Sequence, residues 1–304
     1  MARESRLVIG PWSHAESETL ADGFEPRNFR LESLSPTLDW FDRHLRRERA
    51  ARVSAPVRIF VMGENVWRDE DDWPLARAVP TTYYLRSSGD AAGPAARGRL
   101  EAGTPERADP PDAFLYDPMH PVPSAGGAML SPRAGVSRQE AIEARPDVLS
   151  YTTSPLERDL EVTGPVSVTL YVTTSAPQTD FTAKLVDVHA GGAAYNVCDG
   201  ILRRRYLERD AGAGVSALMP ITIDLWPTSM LFRRGHRIRL EISSSNYPRF
   251  DRNPNTGGDP ATETQPVTAR QAVHHGSAAP SLAGTRWWPC CTRCGTPPRG
   301  SRCG

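Results

Sequence analysis

At 304 residues the chain is long enough for one large domain or two ordinary ones, and either can bury a real core. Its 36 Lys plus Arg equal its 36 Asp plus Glu, and a formal net charge of zero argues against nucleic acid or an anionic membrane as the main partner. No stretch approaches the roughly 18 apolar residues of a membrane span. The opening MARESRLVIGPWSH has too short an apolar run for a secretory leader, so a cytoplasmic location is the default.

Residues 6–9 (RLVI) form a short apolar run closed by Gly10-Pro11, the pattern of a buried strand entering a loop. A lone strand cannot satisfy its backbone, so this one is expected to belong to a sheet whose other strands are absent, a first sign of truncation. Residues 36–48 (PTLDWFDRHLRRE) read as an amphipathic helix, with Ser35 as N-cap, Pro36 at the first helical position and a basic last turn. Leu34, Leu38, Phe41 and Leu45 fall at spacings of four, three and four and make its apolar face.

After Ala55 the pattern changes to short β-branched or aromatic runs between turn signals: VRIFVM (57–62), TTYYLR (81–86), VSVTLYV (166–172), FTAKLVDV (181–188), PITIDLW (220–226) and RIRLEIS (237–243). Ile221, Ile223 and Leu225 share one face, and Ile238, Leu240 and Ile242 share another. Period-two strands with almost no helix signal predict an antiparallel sandwich or jelly roll over residues 56–281. The Gly/Ala-rich stretch 89–98 reads as a surface loop. From about Leu282 the periodicity ends; TRWWPCCTRCGTPPRGSRCG looks like DNA read out of frame and predicts an unstructured tail.

Cys198 stands alone in a strand-like run and reads as a free buried thiol. Cys290, Cys291, Cys294 and Cys303 crowd the tail. Cys291 and Cys294 form a C-x-x-C, but it has neither a second such pair nor histidines at finger spacing, so an unstructured tail is preferred to a zinc site.

One cluster suggests catalysis. Gly10-Pro11-Trp12-Ser13-His14 puts a histidine on the loop after a strand, where α/β-hydrolases carry the general base of a Ser-Asp-His triad; the alternative is an ordinary surface histidine. A nucleophile elbow needs G-x-S-x-G. The triplets Gly135-Val136-Ser137 and Gly214-Val215-Ser216 lack the second glycine and follow His14, the wrong chain order, and Ser13 is too close to His14. The acidic run Asp69-Glu70-Asp71-Asp72 reads as a solvated turn rather than a cation site. His274-His275 reads as a polar loop, and Trp67, Trp73 and Trp226 as packing residues rather than a sugar platform.

RLVIGPWSH resembles the segment bearing the catalytic histidine in the cocaine-esterase and X-Pro dipeptidyl-peptidase family, and WFDRHLRRE resembles that family's last hydrolase helix. VRIFVMGENVWRDEDDWP, LYDPMHPVPSAGG, TDFTAKLVDVHAGG with CDGILRRRYLE, and GHRIRLEISSSNYPRFDRNPNTGG follow in the family's order from residue 5 to about 281. The resemblance implies three parts: residues 1–50 as the end of an α/β-hydrolase domain, 51–282 as a mainly β, galactose-binding-like jelly-roll sandwich, and 283–304 as a disordered or frameshifted tail. It implies a serine hydrolase, esterase or X-Pro dipeptidyl-peptidase, needing no metal or organic cofactor. His14 would be its general base, and the serine and aspartate lie upstream, so this chain alone is expected to be inactive. The strand after the DPMHPVPSAGG turn would wall the acyl pocket with Met129, Leu130 and Ser131, Ser131 standing where an aromatic is expected. The implied partner is a small acyl ester or peptide substrate, with neither nucleic acid nor membrane; a homo-oligomer stays open. The competing reading is a jelly-roll binding module that catalyses nothing.

Overall fold

The computed structural model describes residues 5–12, 20, 29–46, 55–205 and 217–289. A small sheet comes first. Strand β1 (Leu7–Ile9) lies parallel to β2 (Val57–Val61), Leu7 opposite Val57, and β2 turns into antiparallel β3 (Val66–Glu70). The expected strand therefore forms, but its partner lies inside the chain. Nor is it deeply buried: Leu7 is exposed, and Val8 and Ile9 are half-buried. Val57, Ile59 and Val61 pack on Leu231, which ties this sheet to the main body. Met62 continues that tie through backbone bonds with Ser229 and Leu231, at 3.0 and 2.8 Å.

Helix α1 spans Phe29–Leu45, so it begins six residues before the expected cap and carries Pro36 inside. Arg30, Leu31, Glu32 and Leu34 are good helix formers, and they extend the helix through a proline that forfeits one backbone bond. The apolar stripe is as spaced, yet it faces solvent: Leu34, Leu38, Phe41 and Leu45 are 58, 62, 49 and 73% exposed.

The remaining strands are β4 (Val79–Arg86), β5 (Gly98–Glu101), β6 (Asp112–Tyr116), β7 (Leu149–Thr152), β8 (Leu160–Thr174), β9 (Gln178–Val188), β10 (Ala194–Arg205), β11 (Met219–Phe232), β12 (Arg237–Ser243), β13 (Ala269–His274) and β14 (Leu282–Pro289). A one-turn helix, α2 (Glu140–Glu143), precedes β7. The hydrogen-bonded order is β10-β9-β12-β7-β5-β4-β14-β8-β13-β6, with β11 on β8, nearly all antiparallel, and the ends do not meet to close a barrel. The sheet folds over on itself into a sandwich. Leu85, Tyr151, Phe181 and Leu240 from one side share a core with Val168, Leu170, Ile223 and Val273 from the other.

Both predicted alternations hold. Ile221, Ile223 and Leu225 are 2, 0 and 0% exposed, as are Ile238, Leu240 and Ile242. Each such side chain contributes about 1.5–3 kcal/mol on burial. The alternation breaks at Trp226, where β11 bulges between Asp224 and Pro227 with Trp226 at φ 68°. The bulge turns the indole outwards, 66% exposed, so Trp226 is not the packing residue expected.

Two loop readings are corrected. The stretch 89–98 is only partly surface: Ala91 is fully buried and its N–H donates to Asp112 Oδ1 at 3.0 Å. The tail does not start at 283, because β14 pairs with β4 on one side and β8 on the other. Ladder bonds are made by the backbone, so a segment without alternation still completes a sheet between two other strands. Residues 290–304, with the four tail cysteines, lie outside the described residues. Cys198 on β10 is free, and burial pushes its thiol pKa well up, the mark of an inert thiol.

Candidate functional site

The approach to His14 is built by the small sheet. Leaving β1, the chain passes Gly10 and Pro11, and the Trp12 indole folds back over Gly10, where any Cβ would overlap its ring. Trp12 meets Trp67 edge-on at 5.6 Å between centroids, Trp67 meets Phe60 the same way at 5.4 Å, and the Arg58 guanidinium lies 5.5 Å from the Trp67 ring. This row of rings fixes where the loop starts. His14, two residues on, lies outside the described residues, as does Ser13.

Met129, Leu130 and Ser131 are described, and they form a loop rather than the expected strand. Gly127 and Gly135 close its base with reciprocal backbone bonds of 2.7 and 2.9 Å. Both sit at positive φ, 95° and 92°, which pulls the chain out of extended geometry. Within the loop Ser131 Oγ accepts from the Arg133 N–H at 3.2 Å, while Leu130 stands 83% exposed. The base is rigid. Asn196 accepts from the Ser137 N–H at 2.7 Å and donates to the Gly135 carbonyl at 3.1 Å. Beside it, Arg249 pairs with Asp199, which also accepts from Asn246 Nδ2 at 2.8 Å. Ser137 thus sits on a braced loop, not an elbow; the triplet at 214–216 lies outside the described residues.

Beneath this loop Lys184 Nζ lies 3.2 Å from Glu241 Oε2 and 2.7 Å from Gln139 Oε1. Burial pushes the Glu241 carboxyl up to about 7 despite the ammonium. The cavity between Lys184, Asp199, Glu241 and Asn246 measures about 10 Å³, room for at most one water and none for an acyl substrate.

Other sequence candidates resolve differently. In the acidic run, Glu70 is buried and gripped by Arg68 and Arg77, and Arg68 also forks onto Glu161 at 2.6 and 2.8 Å; Asp69 is exposed but lies on β3, 3.5 Å from Arg58, so the solvated-turn reading holds only for Asp71 and Asp72. Trp67 and Trp73 are half-buried against the small sheet, as packing residues. The polar-loop reading of His274-His275 fails. His274 lies on β13, and the His275 ring is wholly buried with Nε2 2.8 Å from Asp112 Oδ2. Asp112 also accepts from Tyr151 and Ser87, and although burial works to raise its carboxyl, these bonds hold it below the usual range. A further cluster went unread: Asp187, His189 and His236 come together at one end of β9 and β12. Its signal was the Asp-x-His spacing at the end of FTAKLVDVH.

Residues 50–282 match the X-Pro dipeptidyl-peptidase C-terminal non-catalytic domain. The chain belongs to that family. Over 293 residues it is 42% identical to the cocaine esterase of Rhodococcus sp. (strain MB1 Bresler), which covers 91% of this chain but only 50% of that enzyme. The chain thus spans about half the length of this relative. Among solved structures, an α-amino acid ester hydrolase superposes with a TM-score of 0.76 at 25% identity, over 93% of this chain and 50% of the other. An aminopeptidase from a marine-sediment thaumarchaeote superposes equally well, TM-score 0.76 at 24% identity, over 94% and 49%. The second likeness speaks for the fold alone. The jelly-roll sandwich expected of the X-Pro dipeptidyl-peptidase C-terminal domain is the fold found here.

Proposed function

We infer that this chain serves as the C-terminal portion of a serine acyl hydrolase of the esterase or X-Pro dipeptidyl-peptidase type. In this reading His14 is the triad's general base, taking the proton of a serine hydroxyl and returning it to the leaving group. The serine and its aspartate come from an α/β-hydrolase domain outside this sequence. Met129, Leu130 and Ser131 line that domain's acyl pocket from the sandwich side. The sandwich itself positions, and no G-x-S-x-G in the sequence marks a nucleophile on it.

The observation that carries this reading is the small sheet, whose first strand runs through Gly10-Pro11-Trp12 toward His14 in the sequence. A free-standing binding module has no use for β1, laid parallel on β2 and ringed by Trp12 and Trp67, leading into Ser13-His14. Two further features support it. The apolar face of α1 is exposed, as a helix that packs on another domain would leave it. Leu130 projects from a braced loop, which suits a wall offered to a neighbouring pocket.

A serine-directed fluorophosphonate tests the reading on the chain alone. No stoichiometric label is expected, because no G-x-S-x-G is present. Stoichiometric labelling abolished by a single Ser→Ala change would show that the chain carries its own nucleophile and overturn it.

A further inference from the structure

The core-facing row of β9 runs Phe181, Ala183, Leu185 and then changes character at Asp187 and His189. The row of β12 opposite runs Ile242, Leu240, Ile238 and then His236. In the ladder Leu185 stands across from Leu240 and Asp187 from Ile238, which sets His236 across from His189. These two core-facing rows thus end, side by side, in imidazoles around one carboxylate.

The geometry is close. His236 Nδ1 lies 3.0 Å from Asp187 Oδ1, and His189 Nε2 lies 3.3 Å from Asp187 Oδ2. The two rings stack at 4.3 Å between centroids. One ligand atom from each of the three residues lies within 4.8 Å of the others. Two tight turns hold the imidazoles. The His189 N–H donates to the Ala193 carbonyl at 2.8 Å, and the His236 N–H to the Arg233 carbonyl at 3.0 Å, with Gly192 and Gly235 at positive φ. The Asp187 side chain is 2% exposed, whereas those of His189 and His236 are 25 and 17% exposed, so an ion can reach the imidazoles from solvent.

We propose that Asp187, His189 and His236 form a binding site for a divalent transition-metal ion, zinc by preference, at the end of the sandwich. Zinc bonds of about 2.0–2.2 Å to imidazole nitrogen and carboxylate oxygen set tetrahedral ligand atoms roughly 3.3 Å apart. The two Asp–His pairs already have that spacing, and the ligand atoms of the two imidazoles lie within 4.8 Å of each other. Two neutral imidazoles suit zinc over magnesium or calcium, which prefer all-oxygen sites. A divalent ion also neutralises a carboxylate that is sunk beneath the surface, 2% exposed. Three protein ligands leave a fourth position open to water.

The test titrates zinc and cobalt(II) into the full chain, purified without a histidine tag, with Cys290, Cys291, Cys294 and Cys303 changed to serine so that tail thiolates cannot compete. One equivalent of zinc is expected to bind and to raise the melting temperature. Cobalt is expected to give visible d–d absorption without a thiolate charge-transfer band. His189→Gln and His236→Gln should each weaken zinc binding at least about tenfold, and both should keep the far-ultraviolet dichroism of the parent, which separates lost binding from lost fold. Asp187→Asn, which keeps volume and hydrogen-bonding capacity, should weaken it as well. Failure of the parent to bind zinc, or binding unchanged in the two His→Gln variants, would show that the cluster is an ion pair only and overturn the proposal.

Discussion

His275 Nε2 lies 2.8 Å from Asp112 Oδ2, and neither side chain reaches solvent. The pair joins the end of β13 to the start of β6. Asp112 completes its shell with Tyr151 Oη at 2.8 Å, Ser87 Oγ at 2.9 Å and the Ala91 N–H at 3.0 Å. One carboxylate thus ties four segments distant in sequence. Asp112→Ala, which strands those donors, should cost about 3–5 kcal/mol in urea denaturation. Asp112→Asn, which still accepts hydrogen bonds, should cost less.

Stability should respond to acid through the same group. The folded Asp112 carboxyl lies below its usual value, as does that of Asp109, held down chiefly by its bond from Arg86. A depressed folded pKa contributes stability that is present above the unfolded pKa and lost as pH falls through the folded one. Chemical denaturation along a descending pH series should show that loss beginning near pH 4, and Asp112→Asn should reduce it.

Glu241 has the opposite sign. Its folded pKa, about 7, exceeds the ordinary 4.5, so the folded state binds the extra proton. That contribution is full below about 4.5 and fades as pH rises to about 7. Glu241→Gln, permanently neutral, should flatten the stability profile across this window without unfolding the chain. An unchanged slope would place the titration on another group.

The exposed stripe of α1 should make the isolated chain adhesive. Changing Leu38 and Phe41 to Asp should lower hydrophobic-dye binding and light scattering. Because both side chains are 62 and 49% exposed, each change should move stability by only about 0.5 kcal/mol.

What was legible in the sequence followed from periodicity. The Ile221 and Ile238 triplets gave strand, face and burial together, because alternation over a half-buried sheet leaves one reading. What escaped did so for physical reasons. The strand at 282–289 has no alternation, since its place between β4 and β8 is held by backbone bonds. The helix start at Phe29 was hidden by Ser35-Pro36, a cap signal that the preceding helix formers override. His275 and His236 depend on partners 163 and 49 residues away, at distances that no local pattern reports, so the Asp-x-His spacing of Asp187 and His189 showed only part of that cluster. At the candidate site, the family resemblance singled out Met129, Leu130 and Ser131 as a strand, whereas two positive-φ glycines, Gly127 and Gly135, make that segment a loop.

The central claim is that His14 acts as the base for a serine held on another domain. Its most direct test is reconstitution: this chain is combined with an α/β-hydrolase half that supplies the G-x-S-x-G serine and the aspartate but no catalytic histidine, and turnover of an activated acyl ester is followed. Neither half alone should turn over. The pair should, and His14→Ala should abolish that turnover, since triad members act as a unit. Equal turnover by the pair with and without His14, or turnover by this chain alone, would contradict the account.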